Sequence, residues 1–409
     1  MKILFVAMPN SIHTARWISQ LKDRGWDLHI YPGYLAQLHP DIGNVNYHLA
    51  KIRAIFLKIG TSVITSLAKN NKLFFLKPDF IKKFRDHRGL QINNDLSRAK
   101  ELVKLIQKIK PDIVHSMEFQ INGYLTLQAK KIMKQEFPLW IATNWGSDIY
   151  LYGKFPEHRE KIKELLSSCD FYSCETARDA RLAEEFGFCG TILPIIPNSG
   201  GFDLKKLELW KSNVKPSKRK IIMLKGYQGW AGRALVGIRA LERCSDLLTG
   251  YHIVVYTASG TDIEIASKLF SIGANVDLTI LPPGQTHETI MRYHGMARIS
   301  IGLSISDAIS TSFLEAIAMG SFPIQSNTAC AEEWIIDGRT GIIVPSEDPE
   351  IIERAIRRAL SDDEMVDRAA EENWQTVVER LDHNKVKNIA IGMYEKVFNE
   401  QYSKYGKLP

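Results

Sequence analysis

The sequence predicts an α/β protein made of two open parallel sheets that face each other across a cleft. Three observations predict it. Short apolar runs alternate with longer amphipathic stretches, the β-then-α rhythm that puts parallel strands between helices. The rhythm occurs twice, once in each half of the chain. Between the halves lies Lys211-Ser212-Asn213-Val214-Lys215-Pro216-Ser217-Lys218-Arg219, polar, basic and proline-bearing, a linker composition. A chain of 409 residues, 45% hydrophobic and 24% charged, has room for two or three domains and is neither disordered nor fibrous.

In order along the chain, Ile3–Ala7 is the first strand, Thr14–Arg24 has helical spacing, and Asp27–Tyr31 is strand-like. Asp112–His115 and Leu139–Thr143 follow as strands, separated by the helical pattern of Gly123–Glu136. In the second half Lys220–Leu224, His252–Thr257, Asp277–Ile280 and Arg298–Leu303 read as strands. Ala231–Cys244, Asp262–Phe270, Glu288–His294 and Phe313–Met319 read as helices, and a last helical pattern covers His383–Tyr402. Ligands of such sheets sit beyond the carboxyl ends of the strands, so chemistry is expected in the loops that follow strands.

Other classes are excluded. Nothing approaches 18 consecutive apolar residues, so no membrane-spanning helix is expected, and the opening Met1–Met8 run is too short for a signal-peptide core. Cys169, Cys174, Cys189, Cys244 and Cys330 are odd in number with no Cys-x-x-Cys pair, which suits reduced thiols in a cytoplasmic protein rather than disulfides or zinc. No Gly-x-Gly-x-x-Gly follows the first strand, which disfavours a dehydrogenase. No nucleic-acid-binding module is present, and nucleic acid is not expected as a partner. The net charge of +7 is uneven: residues 51–88 hold ten Lys or Arg against two acidic residues. Those cations are interleaved with Phe56, Phe74, Phe75, Phe80 and Phe84, which suits an anionic membrane surface or, equally, a solvated basic face on a core helix.

The most informative stretch runs from Leu303 to Gly320. A strand ends near Leu303 and a helix begins at Ser310-Thr311-Ser312, good N-cap residues whose free amides form an anion site. Asp307 precedes the helix and Glu315 lies one turn inside it, so a phosphate on the first turn has a carboxylate near each end of its ligand. A second cluster, Met223-Leu224-Lys225-Gly226-Tyr227-Gln228-Gly229-Trp230-Ala231-Gly232-Arg233, brings glycines and two cations to a helix start.

Asp307-x7-Glu315, the small-residue helix ending at Gly320, Pro323-Ile324, Glu332-x-x-Ile335, Asp337-Gly338-x-Thr340-Gly341 and Val344-Pro345 together resemble the signature of family 4 glycosyltransferases. The resemblance implies the GT-B fold: two facing Rossmann-like domains, with the chain's end crossing back to the first. It implies residues 1–210 with 373–409 as the acceptor domain and 211–372 as the nucleotide-sugar donor domain. It also implies Glu315 on the ribose hydroxyls and Asp307, one methylene shorter than the family Glu, near the donor sugar. Ser310, Thr311 and Gly226 would bind the donor through backbone amides, with Arg233 and Lys225 as the catalytic cations on the diphosphate.

In the first half Pro9-Asn10-Ser11-Ile12-His13-Thr14-Ala15-Arg16-Trp17 follows the first strand, where the family often has a glycine-rich loop. His13 and Arg16 are candidate phosphate or acceptor contacts there, and a capping or surface histidine is the equal alternative. Thr143-Asn144-Trp145-Gly146-Ser147-Asp148 resembles the family turn Thr-x-His-Gly-x-Asp, with Trp145 where the family His touches the donor sugar and Asp148 either a contact or a helix cap. His115 and Glu118 follow another strand toward the same cleft, with a satisfied structural His as the alternative. Pro197–Asp203 resembles the family's interdomain turn.

The resemblance implies a retaining glycosyltransferase that moves a sugar from a nucleotide diphosphate donor to a saccharide or lipid-linked acceptor, as in cell-surface glycan or glycolipid synthesis. It implies neither cofactor nor metal. A cytoplasmic location follows, peripheral at the inner membrane face if residues 51–88 meet lipid. The alternatives are a sugar-nucleotide epimerase or hydrolase of the same fold, and a catalytically silent sugar-nucleotide or membrane-binding module.

Overall fold

A computed structural model describes residues 1–34, 36–48, 95–258 and 260–405. The basic segment 51–88, and the membrane reading attached to it, lie outside the described residues. The first half contains β1 (Lys2–Ala7), α1 (Ile12–Ser19), β2 (Asp27–Pro32), β3 (Asn46–Tyr47), α2 (Asp95–Ile109), β4 (Ile113–Met117), α3 (Tyr124–Met133) and β5 (Leu139–Thr143). It continues with α4 (Pro156–Ser168), β6 (Phe171–Ser173), α5 (Ala177–Glu185), β7 (Thr191–Ile192) and α6 (Leu204–Trp210). The second half contains β8 (Ile221–Lys225), α7 (Ala234–Arg243), β9 (His252–Tyr256), α8 (Thr261–Ala274), β10 (Asp277–Ile280), α9 (His287–Met296) and β11 (Ala297–Gly302). Then come α10 (Thr311–Ala318), β12 (Phe322–Ser326), β13 (Ile342–Val344), α11 (Pro349–Ser361), α12 (Asp363–Arg380) and α13 (His383–Tyr405).

The strands form two parallel sheets, in the orders β3-β2-β1-β4-β5-β6-β7 and β10-β9-β8-β11-β12-β13. In each, the order reverses at one place: between β1 and β4 in the first, between β8 and β11 in the second. Loops leaving the strands on either side of such a reversal diverge to opposite faces and open a crevice. The central strands are buried over nearly their whole length, as β-branched and aliphatic runs covered by helices on both faces must be.

Two expectations need correction. The helix expected over Thr14–Arg24 stops at Ser19, and Lys22–Arg24 forms a separate tight turn closed by Gly25 at φ 67°. The stretch 211–219 is docked rather than a free linker. Arg219 is buried and donates to the carbonyls of Val214, Ala297, Met319 and Gly320, while Ser217 bonds the Asp367 carboxylate through both its amide and its hydroxyl.

The end of the chain returns to the first sheet. Leu381 accepts from the Phe202 amide at 2.6 Å and His383 donates back to Phe202 at 2.9 Å, so two strands of chain pass side by side between the halves. Before that crossing, Val377 of α12 packs with Phe202, Met291 and Phe313. Beyond it, Val386, Ala390, Tyr394 and Val397 of α13 join Ile3, Phe5 and Trp17 in one core. The Trp17 indole donates to the Tyr394 hydroxyl at 2.7 Å, and Arg24–Glu395 and Lys387–Asp23 pair at 2.7 and 2.9 Å on the rim. No helix among the described residues is long and apolar enough to cross a membrane.

Candidate active site

Loops beyond the carboxyl ends of the two sheets meet. A Cβ placed on Gly146, beyond β5, would lie 2.5 Å from Asp307 Oδ1, beyond β11, so only glycine permits this approach. Asp307 binds its own neighbour's amide, Ala308, at 3.0 Å, and its carbonyl accepts from Arg178 at 2.8 Å. Arg178 also donates to the Thr328 carbonyl, and the amides of Ala177 and Arg178 at the start of α5 are taken by the Glu333 carboxylate at 2.9 and 3.1 Å. Helix α5 of the first half is therefore capped by the second half, a contact absent from the sequence reading because its partners lie 155 and 156 residues apart.

On the second-sheet side, α10 starts at Ser310 without a side-chain cap. Thr176, Asp203, Thr286, Asp348 and Asp362 cap α5, α6, α9, α11 and α12, whereas α3, α4, α7 and α8 also start without a side-chain cap, so what sets α10 apart is the cation beside its start. The Ser310 hydroxyl instead accepts from the Lys225 ammonium at 3.2 Å and lies 3.0 Å from the Ser312 hydroxyl. Lys225 has no carboxylate partner among the described residues, and neither has Arg16. An uncapped helix start beside an unneutralised cation is a place where a phosphate group is held well.

Glu315 lies one turn into α10, its side chain 9% exposed, and accepts from His287 Nε2 at 2.9 Å. Burial by itself raises the carboxyl, but the His287 hydrogen bond, with the charges of His287, His294 and Arg16, outweighs it and holds Glu315 below its usual value. Across the cleft, burial and the Arg16 charge lower the His13 pKa, with Asp307, Lys225 and Glu315 also acting on it. The first-half residues His13 and Arg16 and the second-half residues Lys225, Asp307 and Glu315 thus share one electrostatic neighbourhood. Trp145 borders it, its ring 5.6 Å from that of His13 at an interplanar angle of 64°.

Other predicted residues are committed elsewhere. Gly226 spends its amide on the Tyr256 carbonyl at 2.7 Å, and a Cβ there would meet Val255, so its glycine serves strand packing. Arg233 pairs with Glu347 at 2.8 Å and donates to the carbonyls of Gly229 and Gly232, because the loop folds into a hairpin in which Gln228 and Arg233 bridge. Of the two cations expected together, only Lys225 contacts the α10 start.

His115 is fully buried, with Nδ1 2.7 Å from the Tyr394 hydroxyl and Nε2 2.6 Å from the Thr143 hydroxyl. Burial brings its pKa down to about 3, so it is a neutral core residue and does not line the cleft. Glu118, at φ 80°, turns its carboxylate back onto the amides of Ile121 and Asn122, closing the wide π-type turn Phe119–Gly123. Burial pushes its carboxyl up to about 7. Asp148 accepts from the amides of Phe119 and Trp145 at 2.9 and 2.6 Å and so staples the loops beyond β4 and β5; burial and the neighbouring Glu118 raise it. Both carboxyls are anchors for backbone.

The sequence reading missed His287, Arg178 and Glu333. None carries a local signal beyond the capped helix starts at Thr286 and Thr176.

Comparison with known proteins agrees with this architecture. Residues 268–376 match the family described as glycosyl transferases group 1, and residues 63–173 match glycosyl transferase 4-like proteins. No curated protein matches the chain. Among solved structures, it is similar to a sucrose-phosphate synthase of Thermosynechococcus elongatus, at 15% identity over 98% of this chain and 100% of that one, TM-score 0.64. It is also similar to an α,α-trehalose 6-phosphate synthase of Burkholderia multivorans, at 12% identity over 99% of each chain, TM-score 0.68. A third similar structure is the trehalose-6-phosphate protein of E. coli bound with UDP-2-fluoro glucose, at 12% identity over 97% of this chain and 99% of that one, TM-score 0.66.

Proposed function

The chain is a group 1 glycosyltransferase with the GT-B fold, and we propose that it works by retention, with its donor diphosphate on the open start of α10. Transfer from a nucleotide sugar is the family's reaction; the residue roles, the acceptor and the pathway are our reading. The observation that carries it is the uncapped α10 start with Lys225 on Ser310 and Glu315 one turn further in.

Breaking the anomeric bond puts positive charge on the sugar and extra negative charge on the departing diphosphate. The Thr311 and Ser312 amides and the Lys225 ammonium are fixed donors at that developing charge, so they act without reorganising. Glu315 accepts hydrogen bonds from the ribose, and Asp307 lies before the helix, where the donor sugar would sit. In a same-face attack a donor phosphate oxygen takes the acceptor's proton. His13, a neutral imidazole beside Arg16, is suited to hydrogen-bond a hydroxyl entering from the first half. Arg233, held by Glu347, keeps the β8–α7 loop folded.

We take the acceptor side to be the first sheet with α13 and the donor side to be the second sheet with α12, the chain crossing at Leu381–His383. A saccharide or lipid-linked acceptor, and an anionic membrane met through residues 51–88, belong to the same proposal and rest on the sequence alone. The E. coli neighbour is bound with UDP-2-fluoro glucose, which makes uridine donors the first to test.

The test is thermal melting of the full chain with UDP-, GDP- and ADP-sugars. Occupancy at 100 times Kd stabilises by about 2.7 kcal/mol, so one nucleotide class shifts the melt and the others do not. Glu315→Ala abolishes that shift. A shift unaffected by Glu315→Ala, or no shift with any donor, would contradict the reading.

A further inference from the structure

We propose that His287 is a positioning residue, which lets the buried Glu315 carboxylate read ribose hydroxyls and so sets a preference for ribonucleotide over deoxyribonucleotide diphosphates. The inference rests on the reading of Glu315 as the ribose contact.

A lone buried carboxylate takes up a proton, and a protonated carboxyl is a poor acceptor for two vicinal hydroxyls. Glu315 escapes this because His287 Nε2 lies 2.9 Å from its Oε1. A carboxylate has about four acceptor positions on its two oxygens, so one bond from an imidazole orients it and leaves capacity for both ribose hydroxyls.

His287 is held where that requires. It is the first residue of α9, whose start is fixed by Thr286 accepting from the Thr289 amide at 3.1 Å. Its ring meets that of Trp210 edge-on, centroids 6.4 Å apart at 81°, so it is braced between α6 and α10. The side chain is 39% exposed, and its Nδ1 has no partner among the described residues, so it borders space a ligand can enter. The nearby alternative, His294, is fully buried and uses Nδ1 on the Ser300 hydroxyl at 2.9 Å. Among the described residues, His287 is the side chain that hydrogen-bonds Glu315.

The experiment is calorimetric titration of the full-length protein with UDP, GDP and ADP, then with the 2′-deoxy and 3′-deoxy analogues of the tightest binder. A hydrogen bond to a charged acceptor corresponds to about 10–100-fold, so the wild type prefers the ribonucleotide by that factor. His287→Ala lowers the preference to about threefold or less, and His287→Gln, which restores an N–H donor, recovers about tenfold. His287→Leu fills the space beside Trp210 without a donor and carries the test if the alanine variant melts early. Full preference in His287→Ala or His287→Leu, alongside its loss in Glu315→Ala, would overturn the inference while leaving the ribose reading intact. Full preference in Glu315→Ala, or none in the wild type, would overturn both.

Discussion

The loops beyond β4 and β5 and those beyond β8 and β11 are built alike, at the carboxyl ends of parallel strands, yet they spend their polar groups in opposite ways. Beyond β4 and β5 the chain consumes its own chemistry. Glu118 and Asp148 are taken up by backbone amides, and His115 is bonded at both nitrogens inside the core. Beyond β8 and β11 the polar groups keep open valence: α10 starts uncapped, Lys225 meets a hydroxyl rather than a carboxylate, and Glu315 has one oxygen engaged. A charged residue at a strand's carboxyl end is thus a ligand contact only where the local backbone has not already claimed it.

Breaking the open-valence side should produce the largest effect. Lys225→Ala is expected to lower turnover by roughly 10²–10³, about 2.7–4 kcal/mol of lost charge stabilisation, with its melting temperature nearly unchanged. Steady-state assays with the donor identified by melting check this. Near-normal turnover would remove the distinction between the two sides.

The committed side should respond in stability rather than binding. His115 has its pKa lowered from 6.5 to about 3 by burial. Above pH 6.5 it is neutral in both folded and unfolded chains and costs nothing. As pH falls below 6.5 the unfolded chain takes up a proton that the folded chain refuses, so stability drops by about 1.4 kcal/mol per pH unit until pH 3. Urea unfolding at pH 7 and pH 5 should show the wild type losing about 2 kcal/mol more than His115→Asn, which cannot titrate. The raised carboxyls of Glu118 and Glu175 act in the opposite sense and are common to both proteins, so they cancel in the difference. Equal losses in the two proteins would place His115 in contact with water.

The smallest effect sharpens the comparison within one loop. Arg233→Ala removes a partly exposed pair with Glu347 and should cost about 0–1 kcal/mol of stability. Its turnover should stay within about threefold of the wild type, since under 1 kcal/mol separates such rates. A loss as large as that of Lys225→Ala would return Arg233 to the diphosphate.

This difference between neighbours marks what the sequence could and could not reveal. The doubled β-α rhythm is a local property, and so is the segment from Asp307 to Gly320, where strand end, helix start and the Glu315 position lie within one stretch of chain. Both were legible. Which of Lys225 and Arg233 faces α10 was not, because the Gly232–Arg233 hairpin closes against Tyr227 and Glu347. The burial of His115 depends on Tyr394, 279 residues away, and no periodicity carries that information. The Arg178 and Glu333 contacts between halves are equally nonlocal.

Hydrogen exchange at the start of α10 tests the central claim most directly. The Thr311 and Ser312 amides are uncapped in the free chain and should exchange fast. Full-length protein saturated with UDP, GDP or ADP, whichever shifts the melt, should show slowed exchange across residues 310–314. The peptides over 118–123 and 145–148, already closed by Glu118 and Asp148, should be unchanged. Protection confined to those first-half loops, with the α10 start still exchanging freely, would contradict the account.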